Sequence, residues 1–180
     1  MKSDNSIKVE QKLKSIIREI PDWPKKGISF KDITPLLHDK DIFRKIIDLL
    51  AAPYLGKKID KVVGIDARGF ILAAALAYKL KTGLAIVRKK GKLPAKTISQ
   101  SYTLEYASNI LEMHEDAILP GEKVLLVDDV LATGGTMKAT IVMVKKLKGK
   151  IIGVEFLMEL TYLDGKKNLK GYKIKSLIKY

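Results

Sequence analysis

Residues 124–136 read VLLVDDVLATGGT, an apolar run, two adjacent carboxylates and then a small, Gly-rich turn that opens a helix. Val124 to Val127 have the uninterrupted apolar character of a buried parallel strand. Asp128 and Asp129 therefore fall at its carboxyl end, where open α/β sheets bind ligands. Ala132, Thr133, Gly134, Gly135 and Thr136 carry little side chain to obstruct an approaching anion. Their backbone N–H groups, two hydroxyls and the positive end of the following helix can together hold one phosphate. The acids repel such a phosphate, and suit either the vicinal hydroxyls of a ribose or a Mg²⁺ bound there. A Walker A loop is excluded because no Lys follows Gly134 or Gly135, and no GxGxxG dinucleotide fingerprint is present.

Outward from this segment, strand signals at 61–65, 84–87, 124–128 and 151–157 alternate with helical ones at 70–80 and 135–148. That βαβ alternation predicts a parallel sheet with right-handed crossovers. Gly149 is the expected C-cap of the last helix. Near the N-terminus, Val9, Leu13, Ile16, Ile17 and Ile20 form the stripe of an amphipathic helix over 6–20, ended by Pro21. Residues 21–37 hold three prolines and a glycine and read as an ordered loop with short extended pieces. A second helix is expected at about 39–50, stopped by Pro53. The insertion from Arg88 to Pro120, with its alternating TISQSYTLEY, reads as a β-ribbon or a flexible loop.

A length of 180 residues suits one domain, 1–180, with a sizeable core. No apolar stretch is long enough to cross a bilayer and the first residues are too polar for a signal peptide, so a cytoplasmic protein is expected. The absence of cysteine excludes disulfides and thiolate metal sites. Net charge is +14, from 34 Lys plus Arg against 20 Asp plus Glu. Such an excess suits polyanionic partners in general, but much of it is Lys near the C-terminal end, where a solvated face is the plainer account. His38 and His114 have no partner at ligand spacing and read as structural or surface residues.

The 124–136 segment resembles the 5-phosphoribosyl-1-pyrophosphate (PRPP) binding motif of the type I phosphoribosyltransferase family. A transferase using PRPP must also hold the pyrophosphate it releases, and two loops that follow strands suit that task. GIDARGF (64–70) places Asp66, Ala67 and Arg68 at the sheet's carboxyl edge, and RKKGKLP (88–94) supplies Arg88, Lys89, Lys90 and Lys92. Arg would clamp the leaving group by bidentate hydrogen bonds and Lys as a point charge. The plainer alternatives are an Arg68–Asp66 ion pair and simple solvation of the lysines.

Four segments, DWPKKGISFKDITPLL (22–37), GIDARGF, RKKGKLP with the later SYTLEY (101–106), and FLMELTYLDG (156–165), are similar to the adenine phosphoribosyltransferases within that family. With the PRPP motif they cover most of the chain from Asp22 to Gly165, in the family's order. The resemblance implies a type I phosphoribosyltransferase fold, an α/β parallel sheet flanked by helices with a small N-terminal hood at about 21–37 and a flexible catalytic loop at about 95–109. It implies a purine salvage reaction of adenine and PRPP giving AMP and pyrophosphate, with Mg²⁺ carried mainly by PRPP and water and no direct protein ligand. It also implies a homodimer, with neither nucleic acid nor membrane as partner.

Residue by residue, the resemblance points to Phe30 as the ring that stacks on adenine, with Ser29 and Lys31 reading the base edge through their backbone and Leu160 lining the other side. A core role for Phe30 is the alternative. Glu105 is implied as the catalytic residue, a carboxyl group near the purine imidazole edge, and the Asp66–Ala67 peptide is implied to be cis. Two departures stand out: Lys31 replaces the family's usual Arg, and Ala107 its usual Gly, at a place where a positive φ would be resisted. Another base-specific phosphoribosyltransferase, or a nucleic-acid-binding regulator that keeps a PRPP pocket, are the competing readings. Glu105 and both pyrophosphate loops favour an enzyme, and no helix-turn-helix or RNA-binding signature is present.

Overall fold

The computed structural model describes residues 4–104 and 107–180, in two compact units that divide between Leu49 and Leu50. The first unit carries α1 (Asp4–Ile16), β1 (Arg18–Ile20), β2 (Phe30–Asp32), α2 (Thr34–His38) and most of α3 (Lys40–Ala51). Leu13, Ile17, Ile33, Leu36, Ile42, Ile46 and Ile47 are its buried apolar residues among those described. The α1 stripe is thus real, but the helix ends at Ile16 rather than Ile20. Ile20 precedes Pro21, which disfavours helical backbone, and its strand instead pairs antiparallel with β2, Ile20 opposite Phe30. Asp39 caps α3, its Oδ1 accepting from the backbone N–H of Asp41 at 2.9 Å and of Ile42 at 3.0 Å.

The second unit is built on β3 (Lys61–Ile65), α4 (Arg68–Leu80), β4 (Gly83–Lys89), β5 (Thr97–Leu104), β6 (Ala107–His114), β7 (Lys123–Leu131), α5 (Gly135–Lys146), β8 (Lys150–Glu159) and β9 (Ile174–Lys179). Its seven-stranded sheet has the order β5-β6-β4-β3-β7-β8-β9. The five strands from β4 to β9 run parallel, and the β5–β6 hairpin joins β4 antiparallel. Strands continue leftward from β3 to β4 but rightward from β7 to β8, so the winding reverses between β3 and β7. A crevice outside the carboxyl ends of strands at such a reversal is where doubly wound sheets bind ligands.

Alternate residues explain how both faces are covered. Val63, Ile65, Val124, Leu126, Val154 and Phe156 pack with Met137, Ile141 and Val144 of α5 in one core cluster. On the other face Gly64 lies under α4, where an added Cβ would meet the Cβ of Ala73 at 2.6 Å. The insertion expected as a ribbon or flexible loop is a ribbon, with register from Thr97 opposite His114 to Leu104 opposite Ala107.

One local expectation needs correction. The left-handed residue that closes α5 is Lys148, with φ 61°, and not Gly149. Gly149 is the next residue, donating to Val144 O at 2.9 Å, and its lack of a side chain serves packing, since a Cβ would lie 2.9 Å from Val144 Cγ1. The C-terminal residues form β9 alongside β8.

Candidate active site

Two strand-to-helix corners meet at the winding reversal. At the first, β3 ends at Ile65, the Asp66–Ala67 peptide is cis as expected, and α4 begins at Arg68. At the second, β7 runs on through Asp128 and Asp129 to Leu131 before the turn 132–134. The corners touch closely: a Cβ on Gly69 would lie 2.6 Å from Asp128 Oδ1, so only glycine lets the α4 backbone approach the β7 carboxylates. Arg68 spans them, its Nη2 2.6 Å from Asp129 Oδ2. The alternative pairing of Arg68 with Asp66 is therefore not the one adopted. Asp66 pairs instead with Arg88, whose Nε lies 3.3 Å from Asp66 Oδ2.

Asp129 is buried and Asp128 half-buried. The backbone N–H of Asp129 donates to Asp128 Oδ1 at 2.9 Å. Burial pushes both carboxyl groups above the ordinary carboxylate range, at Asp128 with the neighbouring charge of Asp129 adding to it. The Arg68 guanidinium works in the opposite direction on Asp129. Two acids held in this state accept hydroxyl hydrogen bonds well and tolerate a cation.

The turn that follows has the form an anion requires. Gly134 starts α5 in a left-handed conformation, φ 82°, with no side-chain hydrogen bond capping the helix. The first-turn N–H groups of a helix otherwise lack partners, and with the helix dipole they attract negative charge. Ala132, Thr133, Gly134, Gly135 and Thr136 are thus brought together at one helix N-terminus, as expected. Tyr102 of β5 leans on this corner; a Cβ on Gly135 would lie 3.2 Å from its ring.

The second cationic loop is a turn at the end of β4. Lys92 N–H donates to Lys89 O at 3.3 Å, and Arg88 Nη1 donates to Lys92 O at 3.0 Å. Gly91 holds the turn with φ 77°, its N–H donating to Glu112 Oε2 at 2.9 Å. Arg88 is thereby aimed back toward Asp66, while Lys89, Lys90 and Lys92 are exposed. Leu160 follows β8, its N–H donating to Leu131 O at 2.9 Å.

In the N-terminal unit, Phe30 is half-buried and meets Trp23 edge to face, ring centroids 4.3 Å apart at 64°. Lys31 stands opposite Glu19 in the ribbon, with Nζ 2.6 Å from Glu19 Oε1 and donating to Ser29 Oγ at 3.2 Å. Its amine is thus engaged within its own ribbon. Glu105 lies outside the described residues. Among the described residues no group of three or more His, Cys, Asp or Glu converges at metal-binding spacing.

A family model described as "Phosphoribosyl transferase domain" matches residues 33–176. The adenine phosphoribosyltransferase of Geobacter metallireducens is 60% identical over 168 residues, covering 93% of this chain and 98% of that protein. The chain belongs to the adenine phosphoribosyltransferase family. The crystal structure of the adenine phosphoribosyltransferase from Thermoanaerobacter pseudethanolicus superposes with a TM-score of 0.91 at 52% identity, over 94% of this chain and 99% of that one. The Saccharomyces cerevisiae adenine phosphoribosyltransferase, solved with an imino-altritol bisphosphate and adenine, gives 0.89 at 35% identity, over 95% and 99%. The type I phosphoribosyltransferase fold expected from the motif is thereby the fold of this chain.

For an adenine phosphoribosyltransferase family member, three contacts here were not anticipated from sequence. Trp23 braces Phe30, Tyr102 lies against Gly135, and Gly165 with Asn168 packs behind the 132–134 turn. The aromatic in DWP was a usable signal for the first. The others join residues 31 and more apart in sequence, which no local pattern reports.

Proposed function

We propose that the chain transfers the 5-phosphoribosyl group of PRPP to adenine, giving AMP and pyrophosphate in a purine salvage step, as a cytoplasmic homodimer. The observation that carries this is the corner at the end of β7: two adjacent acids, the buried one bridged to Arg68, stand beside an uncapped helix start with a left-handed glycine. The bond between the anomeric carbon and the pyrophosphate oxygen breaks, the bond from that carbon to N9 of adenine forms, and the N9 proton leaves the base. Asp128 and Asp129 accept hydrogen bonds from the ribose hydroxyls as oxocarbenium-like charge develops. Residues 132–136 hold the 5′-phosphate. Asp66, Ala67 and Arg68, with Arg88, Lys89 and Lys92, hold the departing pyrophosphate.

Phe30 stacks on the base, with Ser29 and Lys31 contributing backbone groups; the Lys31 amine, occupied by Glu19, leaves only that role. Leu160 lines the base on its other side. Glu105 manages the proton at the imidazole edge. Mg²⁺ would be carried mainly by PRPP oxygens and water, with no direct protein ligand. When bound, the ion supplies positive charge to the leaving pyrophosphate.

The outward side of α4 supports the homodimer. Ile71 is 42% and Tyr78 89% exposed, with exposed Ala74 between them, on the helix that begins with Arg68. A second copy covering this face would bury apolar surface beside the pyrophosphate loop. A light-scattering mass equal to one 20.1 kDa chain would overturn it.

Product analysis after incubation with PRPP, Mg²⁺ and a panel of nucleobases tests the reaction. Adenine should give AMP and equimolar pyrophosphate, with other bases slower by about a hundredfold or more because unmatched polar edges are left unpaired. Faster turnover of hypoxanthine, guanine or a pyrimidine would replace adenine as the substrate.

A further inference from the structure

Behind the phosphate turn lies a short helical segment, Gly165–Leu169, that the reaction itself does not call on. Its backbone and the turn fit together without room for side chains. A Cβ on Gly134 would lie 2.6 Å from Gly165 O, and a Cβ on Gly165 would lie 2.1 Å from Ala132 O. Asn168 adds a directed contact, Nδ2 donating to Thr133 O at 2.8 Å. The carbonyl of Thr133 is thereby turned toward an amide donor on the side away from the helix start. In a turn of this size that matters, because a carbonyl swung toward the ligand would present negative charge to an anion and withdraw the neighbouring N–H groups from it.

The segment is itself anchored. Lys166 Nζ lies 2.6 Å from Glu159 Oε2, and Ser176 Oγ of β9 donates to the same oxygen at 2.9 Å. Glu159 is buried at the end of β8, and Leu169 is buried in the core under α5. The wall is therefore fixed to β8 and β9 before any ligand arrives.

We propose that Gly165 and Asn168 are positioning residues for the 5′-phosphate: they hold the 132–135 turn from behind, so that its N–H groups converge while its carbonyls point away. The inference rests on the assignment of residues 132–136 to the 5′-phosphate. Gly165 has no positive φ, so alanine meets no backbone objection there and acts by displacing the peptide of Ala132, with the Leu131 Cδ1 2.9 Å away giving as well. Asn168 is exposed, so its replacement tests the carbonyl contact without disturbing the core.

The experiment is calorimetric titration of the full chain, parent and variants, with AMP and separately with Mg²⁺ and pyrophosphate. AMP carries the 5′-phosphate and pyrophosphate does not. Asn168→Ala, which loses one hydrogen bond, should weaken AMP about fivefold. Asn168→Asp keeps the shape, loses the donor and adds a charge, and should weaken AMP more than alanine does. Gly165→Ala, which displaces the turn, should weaken it by up to about a hundredfold. Pyrophosphate binding should be unchanged in all three. Unchanged AMP affinity in the Asn168 variants, or equal loss of AMP and pyrophosphate, would overturn the proposal while the phosphoribosyl assignment stands. A parent chain that does not bind AMP would overturn both.

Discussion

Asp129 and Glu155 are both buried acids on neighbouring parallel strands, yet their surroundings separate them. Asp129 is 5% exposed at the carboxyl end of β7, with the Arg68 guanidinium 2.6 Å away. Glu155 is 1% exposed in the middle of β8, opposite Val127, and accepts a hydrogen bond from Tyr54 Oη at 2.6 Å. Gly153 makes room for that phenol, since a Cβ there would lie 2.1 Å from Tyr54 Oη. Burial pushes Glu155 up to about 7, against the opposing Tyr54 hydrogen bond and Lys175 charge, and burial with Glu155 pushes the Tyr54 phenol above its ordinary range. One acid is thus matched by a cation at an open edge, and the other is closed into an acid–phenol pair. Burial alone does not separate the two acids; place does, since only Asp129 stands at a strand's end where the winding reverses.

The comparison is sharpened first by a third acid. Neither Asp128 nor Asp129 is assigned the proton, so Glu105→Gln should lower kcat with adenine by about a hundredfold to ten-thousandfold while PRPP binding holds. Steady-state rates with a parallel PRPP titration check this; a kcat within about threefold of the parent assigns the proton to water instead.

Next come the acids of β7. Asp128→Asn and Asp129→Asn each lose a charge-assisted bond to a hydroxyl, worth about 1.5 to 3 kcal/mol, or roughly tenfold to a hundredfold in kcat/KM for PRPP. Unaltered kinetics in both would make the pair structural, like Glu155.

Glu155 should show itself in stability rather than rate. Its folded pKa of about 7 lies above the ordinary 4.5, so the folded chain keeps a proton that the unfolded chain releases. The stabilisation is full below about pH 4.5 and is lost as pH rises through 7, on the order of 3 kcal/mol across that window. Urea unfolding at several pH values should show this slope in the parent and not in Glu155→Gln. The same slope in both would locate the titration elsewhere. The smallest effect belongs to Tyr54→Phe, which removes one buried donor and should cost about 1 kcal/mol by the same measurement.

Much of this was legible in sequence because it is local. The β7 strand, the acid pair and the glycine turn lie within thirteen consecutive residues, and strand period, charge and glycine content fix what each can do. The pairings across the crevice were not. Arg68 offered two acids in reach, Asp66 only two residues before it and Asp129 far along the chain, and the fold selects the distant one. Tyr54 and Glu155 lie 101 residues apart, so nothing near either announces the pair. Ile20 fits a helical stripe and still joins a strand, because Pro21 and the partner Phe30 outweigh periodicity. Strand β9 escaped notice because an edge strand with one fully buried residue, Ile178, needs little apolar signal.

The most direct test of this contrast places Asp129→Asn and Glu155→Gln in one assay, measuring kcat/KM for PRPP with saturating adenine and Mg²⁺. Asp129→Asn should lose about tenfold or more, and Glu155→Gln should stay within about twofold of the parent. Equal losses, or a larger loss in Glu155→Gln, would contradict the assignment of the ribose to the β7 edge.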